Sequence, residues 1–241
     1  KMLVKKADYI RIVSPFLYQP LDKLNIDHKK IFLVPPRCDK DIFNSNNVRL
    51  TKPENFSKSK INLLFVGNLL ISKGVDILLE SFALIQKEDA DISLIFVGEG
   101  EEKSRLINRS EELGIKEKVI FYGHVDYNEI PTIMHYSDIL ILPSIEEGVG
   151  RVILEAMSMK LPVIASNIGG IPLVINDQID GLLFEVGDIF KLKENVLFLI
   201  NNRLFSENMT EVAYQNYIAN YEYEVSMDLF INMYKSILKK V

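Results

Sequence analysis

The residues best placed to do chemistry lie in one short stretch, in the order Glu147, Gly148, Gly150 and Glu155. The two glycines keep side chains away, so an anionic group could approach the backbone amides and the positive dipole end of a helix predicted to start at about Arg151. Such a pocket suits a diphosphate. Glu155 lies little more than one turn into that helix, where its carboxylate could accept two hydrogen bonds from a sugar diol. With Glu147 in the loop, the stretch predicts a nucleotide-sugar site.

The surrounding residues predict a strand, a loop, a helix and a second strand, which form one βαβ unit. Residues 138–142 are an apolar run without helical period, typical of a strand buried on both faces of a parallel sheet. From Arg151 the apolar residues recur at helical spacing, and residues 162–165 begin the next strand. Ligands of open α/β sheets bind beyond the carboxyl ends of the strands. The polar loop 144–150 is predicted to lie there.

The same residues carry a family resemblance. Glu147, seven intervening residues and Glu155 match the E-x7-E signature of retaining glycosyltransferases with the GT-B fold. The wider run from Ser137 to Gly170 resembles the pattern of glycosyltransferase family four (glycosyl transferases group 1), except that Val149 replaces an aromatic residue and Lys160 replaces a glycine. Two glutamates at this spacing alone would more often lie on a solvated loop and helix face. The surrounding pattern favours the family.

The resemblance implies roles in binding a nucleotide-sugar donor without a metal or other cofactor. Lys73 and the amides that begin the helix would stabilise charge on the departing nucleoside diphosphate. Glu155 would hold the ribose, and Glu147 with the loop backbone would position the transferred hexose. Lys73 and Glu147 are therefore the implied catalytic residues. The implied donor-binding residues are Gly67, Asn68, Lys73, Gly123, His124, Val125, Glu147, Gly148, Val149, Gly150, Arg151 and Glu155.

Three further segments are similar to the same family. Residues 67–74 look like the segment whose lysine, here Lys73, meets the donor diphosphate, but Asn68 stands where the family has an arginine. This change removes one of two cations expected to neutralise the leaving group. Residues 123–125 match the segment that lies against the nucleotide base. Residues 168–172 match a loop whose glycines let the backbone pass close to the donor sugar.

The resemblance implies an α/β fold, a Rossmann-like parallel sheet with helices on both faces that forms the C-terminal half of a GT-B fold. Residues 1–43 would be a remnant of an N-terminal acceptor domain, 44–60 a linker, 61–220 the donor-binding domain and 221–241 a helix that crosses back. Because the family carries a longer first domain, the chain is expected to be a fragment. Strands are predicted at 7–14, 30–34, 61–66, 93–97, 119–122, 138–142, 162–165 and 181–184. A short polar helix is predicted at 20–25, and helices towards the end of the chain are predicted at 190–200, 207–219 and 224–240.

The composition excludes several other classes of protein. The 241 residues are 48% hydrophobic, which is ample for a packed core. The net charge of −5 argues against a nucleic-acid-binding face, which would need clustered lysine and arginine. The single Cys38 cannot form an internal disulfide, so a cytoplasmic location is expected. No apolar run approaches the ~20 residues that span a bilayer. Membrane contact is expected only at the periphery, through the missing half.

Two D-x-D triplets, at residues 39–41 and 89–91, would suggest a metal-bound nucleotide in the other glycosyltransferase fold. Both lie at predicted linker or helix-end positions, and no cysteine and histidine residues have metal-ligand spacing. Lys73 and the helix terminus can supply the countercharge. No metal is therefore predicted.

The leading hypothesis is a glycosyltransferase that transfers a hexose from a nucleotide-sugar donor to a glycan, lipid or other acceptor with retention of configuration. A second hypothesis is a binding-only or degenerate donor domain that needs a separate N-terminal half for activity. A third is another GT-B enzyme, such as a sugar-nucleotide epimerase or a phosphorylase, which the pattern around Glu155 fits poorly. The residues leave the base, the sugar, the acceptor and the linkage open.

Overall fold

The computed structural model describes residues 2–49, 51–53, 56–88 and 91–238. The strands in these ranges are β1 (Ile10–Ile12), β2 (Ile31–Leu33), β3 (Ile61–Val66), β4 (Ile92–Val97), β5 (Val119–Gly123), β6 (Ile139–Leu142), β7 (Val163–Ser166) and β8 (Leu182–Phe184). The α-helices are α1 (Met2–Lys5), α2 (Tyr18–Asp22), α3 (Val75–Ile85), α4 (Lys103–Glu112), α5 (Ile130–His135), α6 (Arg151–Ser158), α7 (Ile189–Asn201), α8 (Arg203–Asn220) and α9 (Tyr223–Leu238). Across the described ranges, none of the helices combines the length and the apolar character that a bilayer crossing requires.

Strands β3 to β8 form one parallel six-stranded sheet in the order β5-β4-β3-β6-β7-β8. From β3 the chain adds β4 and then β5 on one side. It then returns to the other side of β3, where it adds β6, β7 and β8 in turn. β3 and β6 are neighbours, with Leu63 opposite Ile139. Crossovers that leave two adjacent strands in opposite directions open a crevice at the carboxyl ends of those strands. The strand order therefore places a binding crevice between the loops that follow β3 and β6.

Helices cover both faces of the sheet. All residues of β4, β6 and β7 are buried, as expected of parallel strands with packed helices on either side. One face packs on α3 and α7, through residues such as Phe82 and Val196. The other packs on α5, α6 and α8, through residues such as Ile153, Met157 and Tyr217. The predicted α/β fold class is confirmed.

The front of the chain forms a separate parallel pair, β1 with β2, over a small apolar cluster. The segment after β2 leaves this pair and enters the main core, where Cys38 and Phe43 are buried in the same cluster as Ile153. Burial raises the pKa of the Cys38 thiol to about 12. Cys38 and Phe43 therefore pack with the large sheet, although the sequence analysis groups them with the front domain.

Helix α9 lies across the front of the chain. The Arg37 guanidinium lies 4.9 Å from the centroid of the Tyr223 ring, and the Arg11 guanidinium lies 5.5 Å from that of Phe230. Leu229, on this helix, is 40% exposed. Helix α9 therefore contacts the front of the chain, and its role as a helix that crosses back towards a first domain stays a prediction. The last two residues of the predicted helix 224–240, and the last three of the predicted segment 221–241, lie outside the described ranges.

Three predicted elements have wrong boundaries. The strand predicted at 7–14 is only Ile10–Ile12, because the Ser14 hydroxyl accepts a hydrogen bond from the Phe16 amide and starts a 3-10 turn. The polar helix predicted at 20–25 is Tyr18–Asp22. The helix predicted at 207–219 begins at Arg203, directly after α7. A non-helical Asn202 separates the two helices, and no glycine or proline marks that break in the sequence.

Lys160 stands where the family pattern has glycine, and its backbone conformation shows why glycine suits this position. Its φ of +54° is left-handed, at the end of α6. A glycine reaches this conformation without the steric cost that a side chain adds. The Lys160 ammonium lies 2.6 Å from a Glu211 carboxylate oxygen and 4.6 Å from the centroid of the Tyr214 ring. The side chain is therefore anchored on α8.

The loops after β3 and β6 are joined backbone to backbone. The Ser72 carbonyl accepts hydrogen bonds from the amides of Ile145, at 2.9 Å, and Glu146, at 3.2 Å. Gly74 has a left-handed φ of +63°, and a Cβ there would lie 1.9 Å from the Pro143 carbonyl oxygen. Only a residue without a side chain allows this approach.

Gly74→Ala should therefore destabilise the fold strongly. The left-handed backbone costs an alanine about 1 to 2 kcal/mol, and the collision with the Pro143 backbone adds about 1 to 3 kcal/mol. The control is Gly114→Ala, because Gly114 has a φ of +71° and nothing within 4 Å of its added Cβ. Urea unfolding of both variants measures the difference. Equal losses of unfolding free energy would contradict the proposed loop contact.

Candidate functional site

A cavity of about 540 Å³ opens at the carboxyl edge of the sheet, at the crevice between β3 and β6. Nine of the twelve predicted donor-binding residues line it: Gly67, Asn68, Lys73, His124, Val125, Glu147, Gly150, Arg151 and Glu155. A second cavity, of about 430 Å³, lies at the opposite, amino edge, beside Ile61 and Ile139. The predicted residues therefore converge at the edge where the strand order places a ligand.

Lys73 and Glu147 form an ion pair inside the larger cavity. The Lys73 Nζ lies 2.7 Å from Glu147 Oε2, and the two side chains are 28% and 15% exposed. The Ser144 hydroxyl also donates to Glu147 Oε2, at 3.3 Å, and the Gly148 amide donates to Oε1, at 3.0 Å. Three donors thus orient the Glu147 carboxylate. The two implied catalytic residues, 74 positions apart in the sequence, touch each other.

Glu155 is the most buried charged side chain of the site, with 4% of its surface exposed. Ile153 and Met157 are fully buried on the same helix and fix its orientation. The Glu155 Oε1 accepts hydrogen bonds from the Tyr127 hydroxyl, at 2.8 Å, and from the Arg151 Nε, at 3.0 Å. Burial raises the pKa of Glu155, and these two donors oppose that rise by stabilising the carboxylate.

Tyr127 belongs to the site although the sequence analysis did not select it. Its hydroxyl contacts Glu155, and the Arg151 guanidinium lies 5.1 Å from the centroid of its ring. The Phe43 ring packs edge-on against it, with centroids 5.1 Å apart. Burial, and then the charge of Glu155, raise the pKa of the Tyr127 phenol. Its position just after the predicted 123–125 segment was the available signal, since that loop also follows a strand of the parallel sheet.

Three predicted residues do not line the cavity: Gly123, Gly148 and Val149. Val149 is 6% exposed and packs in the apolar core beside Ile153. Gly148 lies against the loop after β7, where a Cβ on Gly170 would come within 2.0 Å of the Gly148 carbonyl oxygen. Roles for the backbone of these residues stay predictions.

The described residues of the two D-x-D triplets take part in no metal cluster. Asp39 accepts a hydrogen bond from the Asp41 amide, and Asp91 pairs with Lys118 at 3.0 Å. Asp89 and Ala90 lie outside the described residues. In the part of the chain that the structure describes, no three His, Cys, Asp or Glu side chains are grouped to hold a metal ion. The metal independence of the site stays a prediction.

The chain is similar to known glycosyltransferases. The family model described as "Glycosyl transferases group 1" matches residues 48–216. N-acetyl-alpha-D-glucosaminyl L-malate synthase of Bacillus anthracis is 28% identical over 237 residues, covering 98% of this chain and 61% of that protein. The crystal structure of a glycosyltransferase from Rickettsia africae ESF-5 is 26% identical, with a TM-score of 0.86, and covers 97% of this chain and 64% of that one.

A third comparison concerns the fold alone. Anabaena Alr3699/HepE, solved in complex with UDP, has a TM-score of 0.82 at 19% identity, covering 97% of this chain and 64% of that one. The chain thus spans about three fifths of the length of these proteins. The resemblance stated from the sequence is confirmed.

The unfolding free energy of Glu155→Gln should increase relative to that of the wild type as the pH rises. Because burial raises the folded-state pKa of Glu155, the ionised carboxylate is less favourable in the fold than in the unfolded chain, where a glutamate titrates at about 4.3. The wild type should therefore lose stability relative to the variant as the pH rises through the folded-state pKa. Urea unfolding of both proteins at about pH 4 and about pH 8 gives the difference.

The matched control is Glu146→Gln, because Glu146 is an exposed glutamate in the loop that leads into α6. Because this side chain is exposed, the difference in unfolding free energy between Glu146→Gln and the wild type should be the same at the two pH values. If the stability difference between Glu155→Gln and the wild type is equally independent of pH, burial of the Glu155 carboxylate does not cost the stability that we describe.

Proposed function

The chain belongs to the glycosyl transferases group 1 family, and on that premise we propose that it is the donor-binding part of a glycosyltransferase. In this proposal it binds a nucleotide-sugar and transfers a hexose to a glycan, lipid or other acceptor with retention of configuration. The observation that carries the proposal is the convergence of Lys73, Arg151, Glu147 and Glu155 in one cavity at the carboxyl edge of the sheet.

The diphosphate would lie at the start of α6, beside Lys73. The free amides of a helix start and its dipole attract a phosphate group, and an ammonium group adds a full positive charge. The Lys73 Nζ uses one of its three donors on Glu147, so two donors remain for phosphate oxygens. Stabilising the charge that grows on the leaving diphosphate is the proposed catalytic role of Lys73.

The ribose would lie on Glu155. Tyr127 and Arg151 both donate to Oε1 of its carboxylate, and no other hydrogen bond to this carboxylate is present among the described residues. The lone pairs of Oε2 are then available to the hydroxyls of a ribose. His124 and Val125, at the end of β5, line the part of the cavity proposed for the base.

The hexose would lie on the other side of the diphosphate, at Glu147 and the backbone of the loop after β6. That loop packs tightly, since a Cβ on Gly169 would come within 1.9 Å of the Glu147 carbonyl oxygen. Anabaena Alr3699/HepE, which has the same fold, has been solved with UDP. The acceptor would reach the sugar from an N-terminal acceptor domain, which is the proposed partner of this chain.

A second candidate is a binding-only donor domain. Asn68, which stands where the family has an arginine, is an exposed neutral residue at the edge of the cavity. With fewer cations, the site would stabilise the charge on a leaving diphosphate less well. Its contacts to the sugar and the nucleoside would remain, so the donor could still bind. Nucleotide binding without turnover, when the chain is paired with an N-terminal half, would favour this candidate.

The first test is binding of a nucleoside diphosphate without metal. Calorimetric titration with UDP, GDP and ADP in the presence of chelator should show binding of at least one of them. Lys73→Met should weaken that binding by about 1.5 to 3 kcal/mol, the scale of a hydrogen bond to a charged group. The control is Lys118→Met, because Lys118 forms an ion pair at 3.0 Å with Asp91 at the amino edge of the sheet. Binding that requires added magnesium or manganese would overturn metal independence.

The second test is the ribose contact. Glu155→Gln keeps the shape of the side chain and removes its charge and one acceptor, so nucleotide affinity should fall by about 1.5 to 3 kcal/mol. Glu146→Gln should change it by less than about 0.5 kcal/mol. The same titration with a 2′,3′-dideoxyribose analogue should reproduce the loss in the wild type. Equal binding of both ligands to the wild type would remove the ribose role.

A further inference from the structure

The Arg151 side chain is held on two sides at the mouth of the donor cavity. Its Nε donates to Glu155 Oε1 at 3.0 Å, and its guanidinium lies over the Tyr127 ring, 5.1 Å from the centroid. Tyr127 in turn donates to the same carboxylate oxygen. A planar guanidinium suits this combination of a lateral hydrogen bond and a stacked face, which an ammonium group cannot reproduce.

The outer end of this guanidinium is unused by the protein. Of its five N–H donors, the one on Nε contacts Glu155, and the terminal nitrogens have no hydrogen-bond partner among the described residues. The Arg151 side chain remains 59% exposed although Glu155 is buried. Arg151 is the first residue of α6, so its free donors lie beside the helix start proposed for the phosphates.

Charge also points to this residue. A nucleoside diphosphate brings several negative charges, and Asn68 is neutral. Among the described residues that line the cavity, the lysine and arginine side chains are those of Lys73 and Arg151. Each is paired with one carboxylate, and each keeps donors that the protein does not use. These two side chains are the available cations for two phosphate groups.

The two ion pairs suggest which phosphate of the donor lies beside which cation. Glu155, proposed for the ribose, is paired with Arg151, and Glu147, proposed for the hexose, is paired with Lys73. A nucleotide-sugar has its α-phosphate next to the ribose and its β-phosphate next to the hexose. We propose that the Arg151 side chain, held by Tyr127 and Glu155, binds the α-phosphate, while Lys73 binds the β-phosphate. This inference rests on the proposed function and assigns one cation to each phosphate.

The opposing explanation is that Arg151 only orients Glu155. The chain contains a closely matched ion pair that separates the two roles. Arg203 is the first residue of α8, and its Nε lies 2.9 Å from Glu207 Oε1, four residues later, as in the Arg151 pair. Its side chain is 88% exposed and it lies at the amino edge of the sheet. Arg203→Gln therefore removes the same kind of ion pair away from the donor cavity.

The experiment compares ligands that differ by one phosphate. The wild type, Arg151→Gln, Arg151→Lys, Lys73→Met and Arg203→Gln are titrated in chelator with UDP, UMP and uridine, and with the guanine and adenine series. Thermal unfolding of each variant checks that it folds. Ligand-observed NMR competition measures the nucleosides, which bind most weakly.

Arg151→Gln should weaken binding of the monophosphate and the diphosphate by about tenfold, the scale of one hydrogen bond to a charged group. It should leave nucleoside binding unchanged. Lys73→Met should weaken only the diphosphate, and Arg203→Gln should weaken none of the ligands. Arg151→Lys should recover part of the loss, because it restores the charge without the planar fork.

Two outcomes would overturn the assignment. If Arg151→Gln weakens the nucleoside as much as the monophosphate, Arg151 acts through Glu155 and the ribose. If it weakens neither phosphate ligand, it does not contact the donor. Failure of the wild type to bind any nucleoside diphosphate is a different result, because it removes the proposed function itself.

Discussion

The site depends on the close backbone contact between loops at the carboxyl edge of the sheet. The loop after β3 approaches the loop after β6 at Gly74, and the loop after β6 approaches the loop after β7 at Gly169. Backbone hydrogen bonds to the Ser72 carbonyl hold the first pair together. This contact sets the position of Lys73 relative to Glu147. A side chain at Gly74 would push apart the loops that carry Lys73 and Glu147, and one at Gly169 would collide with the backbone of Glu147 itself.

Electrostatics in the cavity follow from that geometry. Two carboxylates of the site are each paired with one cation, Glu147 with Lys73 and Glu155 with Arg151. Placing Glu155 in the interior costs stability, because burial disfavours a charged carboxylate. Partial neutralisation by neighbours reduces that cost. The arrangement is typical of a functional site that is less stable than an apolar core would be in the same place.

The contact between the front of the chain and the large sheet is more extensive than a linker implies. Cys38 and Phe43 lie in the main core, and Phe43 touches Tyr127, which contacts Glu155. Helix α9 contacts Arg11 and Arg37 from the other side. The segment that leads out of the front domain is thus connected to the proposed ribose contact through two aromatic rings.

The sequence by itself determined the family and the parallel sheet and selected most of the residues of the candidate site, because buried strands, glycine loops and the spacing of Glu147 and Glu155 are local patterns. Nine of the predicted donor-binding residues line one cavity, where the strand order brings their loops together. It could not show that α8 starts at Arg203, since no glycine or proline marks the break before it. Nor could it show Tyr127, the stacking of Arg151, or the pairing of Lys73 with Glu147. These contacts join residues far apart in the chain, and only the crossing of the strands in three dimensions brings their side chains within hydrogen-bonding distance.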